Sequence, residues 1–313
     1  MVESSLPIVT VTGATGYIGS YCCKLLLESG KYRVRGTVRS KTNEAKIDPI
    51  REGIGELFEM LELVEADLLD EASLIKAAEG STYILHVASP FVVEEPKDEN
   101  VLIKPAVDGT LAIMKAAQAA KVKRVVVTSS VAAIYGVDPV DVPDDDTYSE
   151  EHWTDITSEV GKAAYYKSKT LAEKAAWDFL KALPEEEKFE LTTINPVFVV
   201  GPSVCGPGYS SMKVISDVVT GKLPGMPYIT FSFVDVRDVA EAHVKALEAP
   251  EAAGRRIITS AESMWMSDMG KILHDEFAPQ GYEFNTKVPA YCMIKFASFF
   301  SKEIAGVLPL WGK

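Results

Sequence analysis

The chain has 313 residues, of which 47% are hydrophobic and 25% charged, a composition typical of a folded globular protein and not of a disordered one. Its formal net charge of −13 at pH 7 argues against a nucleic-acid partner, because such a protein needs basic residues to neutralise phosphates. No apolar run approaches the roughly 18 residues that would predict a membrane span, so we expect no membrane partner.

Short apolar runs alternate with helical patterns through the first 195 residues. Strands are predicted at 7–13, 32–39, 61–67, 83–89, 123–130 and 190–201. Helices are predicted at 19–30, 71–80, 108–121 and 158–183. This alternation predicts an α/β fold built on a doubly wound parallel sheet of the Rossmann type.

After about Asn195 the pattern changes to segments rich in glycine and proline, mixed with helices. We therefore predict a Rossmann-type domain over 1–195 and a smaller substrate-binding region over 196–313, with about 228–248 returning to the first domain. The acidic, proline-containing segment at 138–159 is interpreted as a solvated loop.

Neither the cysteines nor the histidines show the spacing of a metal site. The four cysteines contain no C-x-x-C pair and are too few for a secreted disulfide scaffold, and the N-terminus has no basic flank before its apolar run. We expect a cytoplasmic protein without a metal.

Three glycines follow the first strand and open the first helix, in the run "VTGATGYIGS". Gly13, Gly16 and Gly19 leave room for a phosphate to approach the backbone amides at the helix start. Their G-x-x-G-x-x-G spacing differs from the dinucleotide fingerprint G-x-G-x-x-G. The alternative is that the glycines only tighten a strand-to-helix connection.

The second predicted strand ends in Arg39, about twenty residues beyond the glycine loop, where NAD-binding proteins place an acidic residue. A guanidinium there can hold the 2′-phosphate of NADP. Lys41 and Lys46 add positive charge nearby. The alternative is a solvated strand end.

Tyr165 and Lys169 are four residues apart, so they share one face of a helix. A free tyrosine has a pKa of about 10, and a nearby ammonium, with a positively charged nicotinamide, would lower it toward the working range of an acid–base group. Upstream, a strand ends in Ser129 and Ser130, whose hydroxyls can donate to a carbonyl oxygen that gains charge. The alternatives are a surface Tyr–Lys pair and serines that only cap a turn.

The glycine loop, Arg39, Ser130, Tyr165 and Lys169 together resemble the extended short-chain dehydrogenase/reductase family. The closer resemblance is to its dihydroflavonol-reductase-like branch, which includes cinnamoyl-CoA reductases and fungal aldehyde reductases. It is carried by "VRGTVRS", "HVASP", "VKRVVVTSS", "YYKSKTLAEKAAW", "INPVFVVGP" and "FVDVRDVAEAHV".

The resemblance implies NADP(H) as cofactor and a role for each matching position. Ser130, Tyr165 and Lys169 would form the catalytic group, and family alignment prefers Ser130 to Ser129. The cofactor would contact Thr12, Gly13, Thr15, Gly16, Tyr17, Ile18, Gly19, Arg39, Lys46, Asp67, Leu68, Val87, Ala88, Ser89, Tyr165, Lys169, Pro196 and Val199.

Two departures from the branch bear on the substrate. Tyr135 stands where plant dihydroflavonol reductases carry an asparagine, and "KAAYYKSK" stands where cinnamoyl-CoA reductases carry N-W-Y-C-Y-G-K. Both flavonoids and CoA thioesters are thereby disfavoured, and the fungal aldehyde reductases agree better. Phe91 and Tyr135 are candidates for the substrate wall, and Tyr166 for packing or substrate contact.

We therefore predict an NADPH-dependent aldehyde or ketone reductase acting on a small-molecule carbonyl substrate, as a monomer or homodimer. The alternatives on the same scaffold are a sugar-nucleotide epimerase or dehydratase and a non-catalytic NADP(H)-binding redox sensor.

Overall fold

A computed structural model describes residues 6–89, 96, 98–137, 147–206, 210–223, 225–299, 308 and 311–312. The chain forms two compact units. The first comprises Met1–Pro196, Gly201–Gly206 and Asp235–Thr259, and the second comprises Val197–Val200, Pro207–Val234 and Ser260–Lys313. The assignment of cofactor to 1–195 and of substrate to 196–313 stays a prediction.

The first unit is built on a parallel sheet whose strand order is β3-β2-β1-β4-β5-β6-β9. These strands are β1 Ile8–Thr12, β2 Arg33–Val38, β3 Leu61–Glu65, β4 Tyr83–His86, β5 Arg124–Thr128, β6 Glu190–Pro196 and β9 Arg256–Thr259. Val11 of β1 pairs with Gly36 of β2 on one side and with Leu85 of β4 on the other. The strand order reverses at β1, so a ligand crevice lies outside the carboxyl ends of β1 and β4. The predicted doubly wound parallel sheet is confirmed.

Helices cover the sheet, which is why its strands are apolar on both faces. In the described part of the chain they are α1 Tyr17–Ser29, α2 Glu44–Ile54, α3 Glu71–Ala78, α4 Asn100–Ala120, α5 Ala164–Ala182, α6 Ser210–Val219, α7 Val236–Ala246, α8 Met266–Phe277 and α9 Tyr291–Ala297. Val9, Leu85 and Val126 on three neighbouring strands have no exposed surface. The site described below therefore stands on a rigid base.

The second unit contains a smaller sheet with the order β10-β8-β7. Its strands are β7 Phe198–Val200, β8 Thr230–Asp235 and β10 Glu262–Trp265. Its core is formed by Val218, Met226, Ile229, Phe233, Met266 and Met269. The run 190–201, predicted as one strand, therefore divides into β6 of the large sheet and β7 of the small one.

The helix that carries Tyr165 begins later than predicted, at Ala164 and not at Ser158. The Ser158 hydroxyl donates to the carbonyl of Gly136 at 3.0 Å and accepts from the amide of Gly161 at 2.8 Å. A Cβ on Gly161 would lie 2.0 Å from the carbonyl oxygen of Asp155. These contacts hold 158–163 in turns, so the helix starts only where they end.

The sequence prediction missed α2 and β9, and placed the start of α4 eight residues too late. Proline stands inside both α2 and α4, at Pro49 and Pro105, and obscures their helical patterns. Among the described residues, no helix is both long and apolar enough to cross a bilayer.

Candidate active site

The glycine loop makes a tight connection between β1 and α1. Gly13 has a φ of +70°, and the amide of Gly16 donates to the carbonyl of Gly13 at 2.8 Å. A Cβ on Gly19 would lie 2.2 Å from that same carbonyl oxygen. Gly16 is the N-cap of α1 and makes no side-chain hydrogen bond to the first turn.

The glycine loop packs against the segment that follows β4. The Thr12 hydroxyl accepts from the amide of Ala88 and bonds Nδ1 of His86, both at 3.0 Å. A Cβ on Gly13 would lie 3.1 Å from the Cα of Ala88. Burial lowers the pKa of His86 to about 3, with Lys169 acting in the same direction, so this imidazole is neutral at physiological pH.

These two segments fit a bound dinucleotide. Backbone amides at a helix N-terminus can bind a pyrophosphate, and glycine leaves the loop open enough for a phosphate to approach them. Arg39 directly follows β2, the strand beside β1, and its exposed side chain puts a cation at the same end of the sheet. Lys46 is exposed on α2. This chain's residues could therefore hold an NADP-type cofactor.

The remaining predicted cofactor positions lie along the same end of the large sheet, with one exception. Asp67 and Leu68 follow β3, and a Cβ on Gly109 of α4 would lie 3.2 Å from the Cβ of Leu68. Pro196 ends β6. Val199 lies on β7 and belongs to the second unit.

The two serines after β5 have different partners. The Ser130 hydroxyl accepts from the amide of Ala132 at 3.1 Å and shares a hydrogen bond with the side chain of Tyr165. The Ser129 hydroxyl is buried and donates to the carboxylate of Glu173 at 2.5 Å. Ser130, and not Ser129, therefore faces the tyrosine.

Lys169 lies one turn beyond Tyr165 on α5. Its ammonium is 5.9 Å from the centre of the Tyr165 ring and donates to the Ser89 hydroxyl at 3.1 Å. Burial lowers the pKa of Lys169 to about 8, while Glu173 acts to raise it. A small cavity at the carboxyl ends of β4 and β5 brings Lys169 together with Ser89 and Leu68.

The sequence predicts that the Tyr165 pKa is lowered by a nearby ammonium and a nicotinamide, but the chain's own groups together raise this pKa. Burial raises this pKa above its ordinary value, and the hydrogen bond with Ser130 opposes the rise without overcoming it. Desolvation disfavours the phenolate more than one hydrogen bond favours it. Tyr165 is therefore protonated at neutral pH, as a proton donor must be.

An aromatic cluster adjoins Tyr165. The Tyr166 hydroxyl donates to the Tyr135 hydroxyl at 3.1 Å, and the ring of Tyr166 meets those of Tyr135 and Tyr165 edge to face. Tyr166 thus fixes the position of Tyr135. Phe91, the other predicted wall residue, lies outside the described residues.

Sequence reasoning missed two groups near Ser130. Glu173 is fully buried, and Asn195 donates both to its carboxylate at 2.8 Å and to the carbonyl of Ser130 at 3.1 Å. The spacing of four residues from Lys169 to Glu173 was the available signal, because it places both on one helix face.

The acidic segment at 138–159 is only in part a solvated loop, because the portion that the structure describes, 147–159, contains buried side chains. Thr154 donates to the carbonyl of Ala132 at 2.7 Å and accepts from the amide of Gly136 at 2.9 Å. These bonds pin the segment to the turn that carries Ser130. In the described ranges, no group of three or more His, Cys, Asp or Glu side chains could hold a metal ion.

Residues 9–259 match the model of the NAD dependent epimerase/dehydratase family. The chain belongs to this family, and the resemblance to extended short-chain dehydrogenases/reductases is confirmed, as is the class of NAD(P)-dependent oxidoreductase.

Among individual proteins, the chain is 41% identical over 255 residues to cinnamoyl-CoA reductase 2 of Arabidopsis thaliana, covering 80% of this chain and 72% of the relative. It is 34% identical to dihydroflavonol 4-reductase of Gerbera hybrida, and the match covers 97% of this chain and 81% of that relative. A solved structure of yeast methylglyoxal/isovaleraldehyde reductase Gre2 with NADPH is similar to this chain, with a TM-score of 0.76 and 30% sequence identity. The match covers 91% of this chain and 86% of the Gre2 chain.

Proposed function

We propose that this protein is an NADPH-dependent carbonyl reductase that converts an aldehyde or ketone to an alcohol. The observation that carries the proposal is the hydrogen bond between Ser130 and Tyr165, with the ammonium of Lys169 one helical turn away. A hydroxyl donor, a protonated phenol and a cation thus stand side by side. This is the set of groups that a carbonyl oxygen needs as it gains charge and then a proton.

The cofactor is NADP(H). The two Gre2 structures that carry NADPH, from yeast and from Candida albicans, are 30% and 33% identical to this chain. The cation of Arg39 at the end of β2 agrees with a 2′-phosphate. The glycine loop would hold the pyrophosphate, and Ser89 and Lys169 would lie beside the nicotinamide ribose.

When bound, NADPH supplies the hydride that reduces the carbonyl carbon. Ser130 donates a hydrogen bond to the carbonyl oxygen and stabilises the negative charge that develops there, which is typically worth about 3 kcal/mol in the transition state. Tyr165 gives its phenolic proton to the same oxygen, completing the alcohol. The ammonium of Lys169 stabilises the phenolate that remains until Tyr165 recovers a proton from solvent.

Small aldehydes and ketones are the preferred substrate class within this proposal. Tyr135 replaces the asparagine that reads flavonoid hydroxyls in dihydroflavonol reductases, and its hydroxyl is held by Tyr166 at 3.1 Å. The sequence around Tyr165 departs from that of the cinnamoyl-CoA reductases. The similarity to Gre2, named for methylglyoxal and isovaleraldehyde, points the same way.

The test is consumption of NADPH with methylglyoxal, aliphatic and aromatic aldehydes, diketones, a dihydroflavonol and cinnamoyl-CoA, for the wild type and for Tyr165→Phe. Loss of the proton donor should lower kcat about 10²- to 10⁴-fold, while the Kd for NADPH stays within a few fold. Tyr166→Phe is the matched control, because it removes the neighbouring hydroxyl and should cost far less.

Two outcomes would count against the proposal. Wild-type turnover in Tyr165→Phe would remove the tyrosine from the mechanism. NADPH binding without consumption of NADPH on any substrate would favour an epimerase, a dehydratase or a sensor.

A further inference from the structure

Glu173 is a carboxylate with no exposed side-chain surface, buried in the first unit one helical turn beyond Lys169. It accepts hydrogen bonds from side chains of α5, β6, β9 and the segment after β5. These donors are Ser129 Oγ at 2.5 Å, Arg256 Nε at 2.6 Å, Asn195 Nδ2 at 2.8 Å, Thr193 Oγ1 at 3.1 Å and Trp177 Nε1 at 3.3 Å. So many donors on one carboxylate offset the cost of burying its charge.

Arg256 supplies the opposite charge and is held on its other sides as well. Its guanidinium lies 3.7 Å from the centre of the Trp153 ring and donates to the carbonyls of Glu150 at 2.8 Å and Ala133 at 3.2 Å. The ion pair therefore fastens the Ser130 turn and the segment before α5 to the large sheet.

Two of the bonds to Glu173 lead directly to Ser130. The Ser129 hydroxyl precedes it by one residue, and the Asn195 amide divides its two protons between Glu173 and the Ser130 carbonyl, at 2.8 and 3.1 Å. A shift of the carboxylate would move both neighbours of Ser130. A displacement of about 1 Å at a reacting group can cost about 10²-fold in rate.

Glu173 lies one helical turn from Lys169. Both residues lie on one face of α5 and line the cavity beside Ser89. Among the described residues, the other titratable groups near this ammonium are Tyr165 on α5 and His86 at the end of β4, with Arg256 on the other side of Glu173; the α4 residues on the cavity, Ala106, Gly109 and Thr110, are not titratable. In the described part of the chain, the negative charge of Glu173 acts against the desolvation that lowers the pKa of Lys169.

We propose that Glu173 is a positioning residue of this reductase: its carboxylate fixes the Ser130 turn through Ser129 and Asn195, and its charge acts on the ammonium of Lys169 one helical turn away. The proposal rests on the proposed function for the role of Ser130, and it deepens that function by adding a fourth residue to the three that would meet the substrate and cofactor.

The test compares Glu173→Gln with a matched control, Glu190→Gln. Glu190 is also the partner of a buried arginine, Arg124, at 2.8 Å, but at the other end of β5 and β6. Both variants leave a buried guanidinium without its carboxylate. The Glu190 side chain is 42% exposed whereas that of Glu173 is fully buried, so Glu173→Gln should lose more thermal stability, and the two readouts below are taken at a temperature at which both variants are folded.

The first readout is the pKa of Lys169, from competitive acetic anhydride labelling of the folded protein at a series of pH values, read by peptide mass spectrometry. It needs no turnover. We expect a value near 8 in the wild type and in Glu190→Gln, and a lower value in Glu173→Gln. An unchanged value in Glu173→Gln would overturn the electrostatic half of the proposal.

The second readout is kcat for carbonyl reduction. We expect a loss of about 10- to 100-fold in Glu173→Gln and a smaller loss in Ser129→Ala, each with the Kd for NADPH within a few fold. Equal losses in Glu173→Gln and Glu190→Gln would overturn the positioning half. If Glu173→Gln does not fold, Glu173→Gln/Arg256→Met removes both charges and takes its place in both readouts. A wild type that reduces no carbonyl would refute the proposed function and with it the positioning half, while the labelling would still decide the electrostatic half.

Discussion

Neighbouring residues in this site take different tasks because the backbone turns their side chains apart. Ser129 and Ser130 follow an extended strand, where successive side chains point to opposite sides, so one reaches Glu173 and the other Tyr165. Tyr165 and Tyr166 are successive on a helix, so their side chains point in different directions: the Lys169 ammonium lies by the Tyr165 ring, and the Tyr166 hydroxyl donates to Tyr135. A shift of one residue along the strand or the helix would therefore place each serine or tyrosine where its neighbour now stands.

Arg39 is the residue whose substitution tests the preference for NADPH over NADH. Arg39→Ala should raise the Kd for NADPH about 10- to 100-fold and change that for NADH little, because a guanidinium makes charge-assisted bonds only to the 2′-phosphate. Both constants can be measured by quenching of protein fluorescence. Arg33→Ala is the control, since Arg33 is an exposed arginine at the other end of the same strand. Similar preferences for NADPH over NADH before and after Arg39→Ala would contradict the assignment of Arg39 to the 2′-phosphate.

At the scale of the element, α1 and the loop before it depend on the absence of side chains. The Gly19 backbone rests directly on the Gly13 carbonyl, so the loop and the first turn of the helix form one rigid unit. Gly13 needs its positive φ to reverse the chain between them. The amides of the first turn are thereby aimed at the crevice beyond β1.

Gly19→Ala should therefore disrupt the loop. The added Cβ would meet backbone at 2.2 Å, which no side-chain rotation can relieve, and overpacking of this kind typically costs about 1–3 kcal/mol. We expect a lower melting temperature and a loss of NADPH binding of at least about 10-fold, measured by thermal denaturation and by fluorescence titration.

Gly30→Asn is the control at the other end of α1. Gly30 also has a positive φ, +63°, but an added Cβ there would meet nothing within 4 Å, and asparagine tolerates this conformation. Wild-type affinity for NADPH in Gly19→Ala would show that the close packing is dispensable.

At the scale of the whole molecule, a buried histidine couples folding to pH. His243 on α7 has no exposed surface; its Nδ1 donates to the Val239 carbonyl at 2.7 Å, and its Nε2 accepts from the Thr128 hydroxyl at 2.6 Å. The neutral ring thus has a partner for both of its nitrogens, and the apolar surroundings disfavour the charged ring. Burial accordingly lowers the pKa of His243 to about 4.

The consequence is acid sensitivity with a defined sign. The unfolded chain binds a proton at His243 near pH 6.5 and the folded chain only near pH 4, so stability is lost as the pH falls between these values, by about 3 kcal/mol in total. Urea unfolding at pH 7, 6, 5 and 4 measures the loss. His243→Gln should be less stable at pH 7 and should lose less stability on acidification, whereas His274→Gln, at a partly exposed position, should follow the wild type. Parallel curves for the wild type and His243→Gln would contradict the coupling.

The alternation of strands and helices, the glycine loop and the Tyr165–Lys169 spacing could all be predicted from the sequence. Each depends on residues close together along the chain, whose periodicity or spacing already defines the local geometry. The class of protein followed from these motifs. Their combination identified a doubly wound sheet and an NAD(P)-dependent oxidoreductase before any contact was known.

Other features required the tertiary structure, because their partners are distant in sequence. Glu173 meets Ser129 and Arg256, 44 and 83 residues away along the chain. The late start of α5 depends on a bond from Ser158 to a backbone carbonyl 22 residues earlier. Local propensity does not predict such contacts, because they form only when the sheet brings its strand ends together. These contacts determine which serine faces the tyrosine and how that serine is held in position.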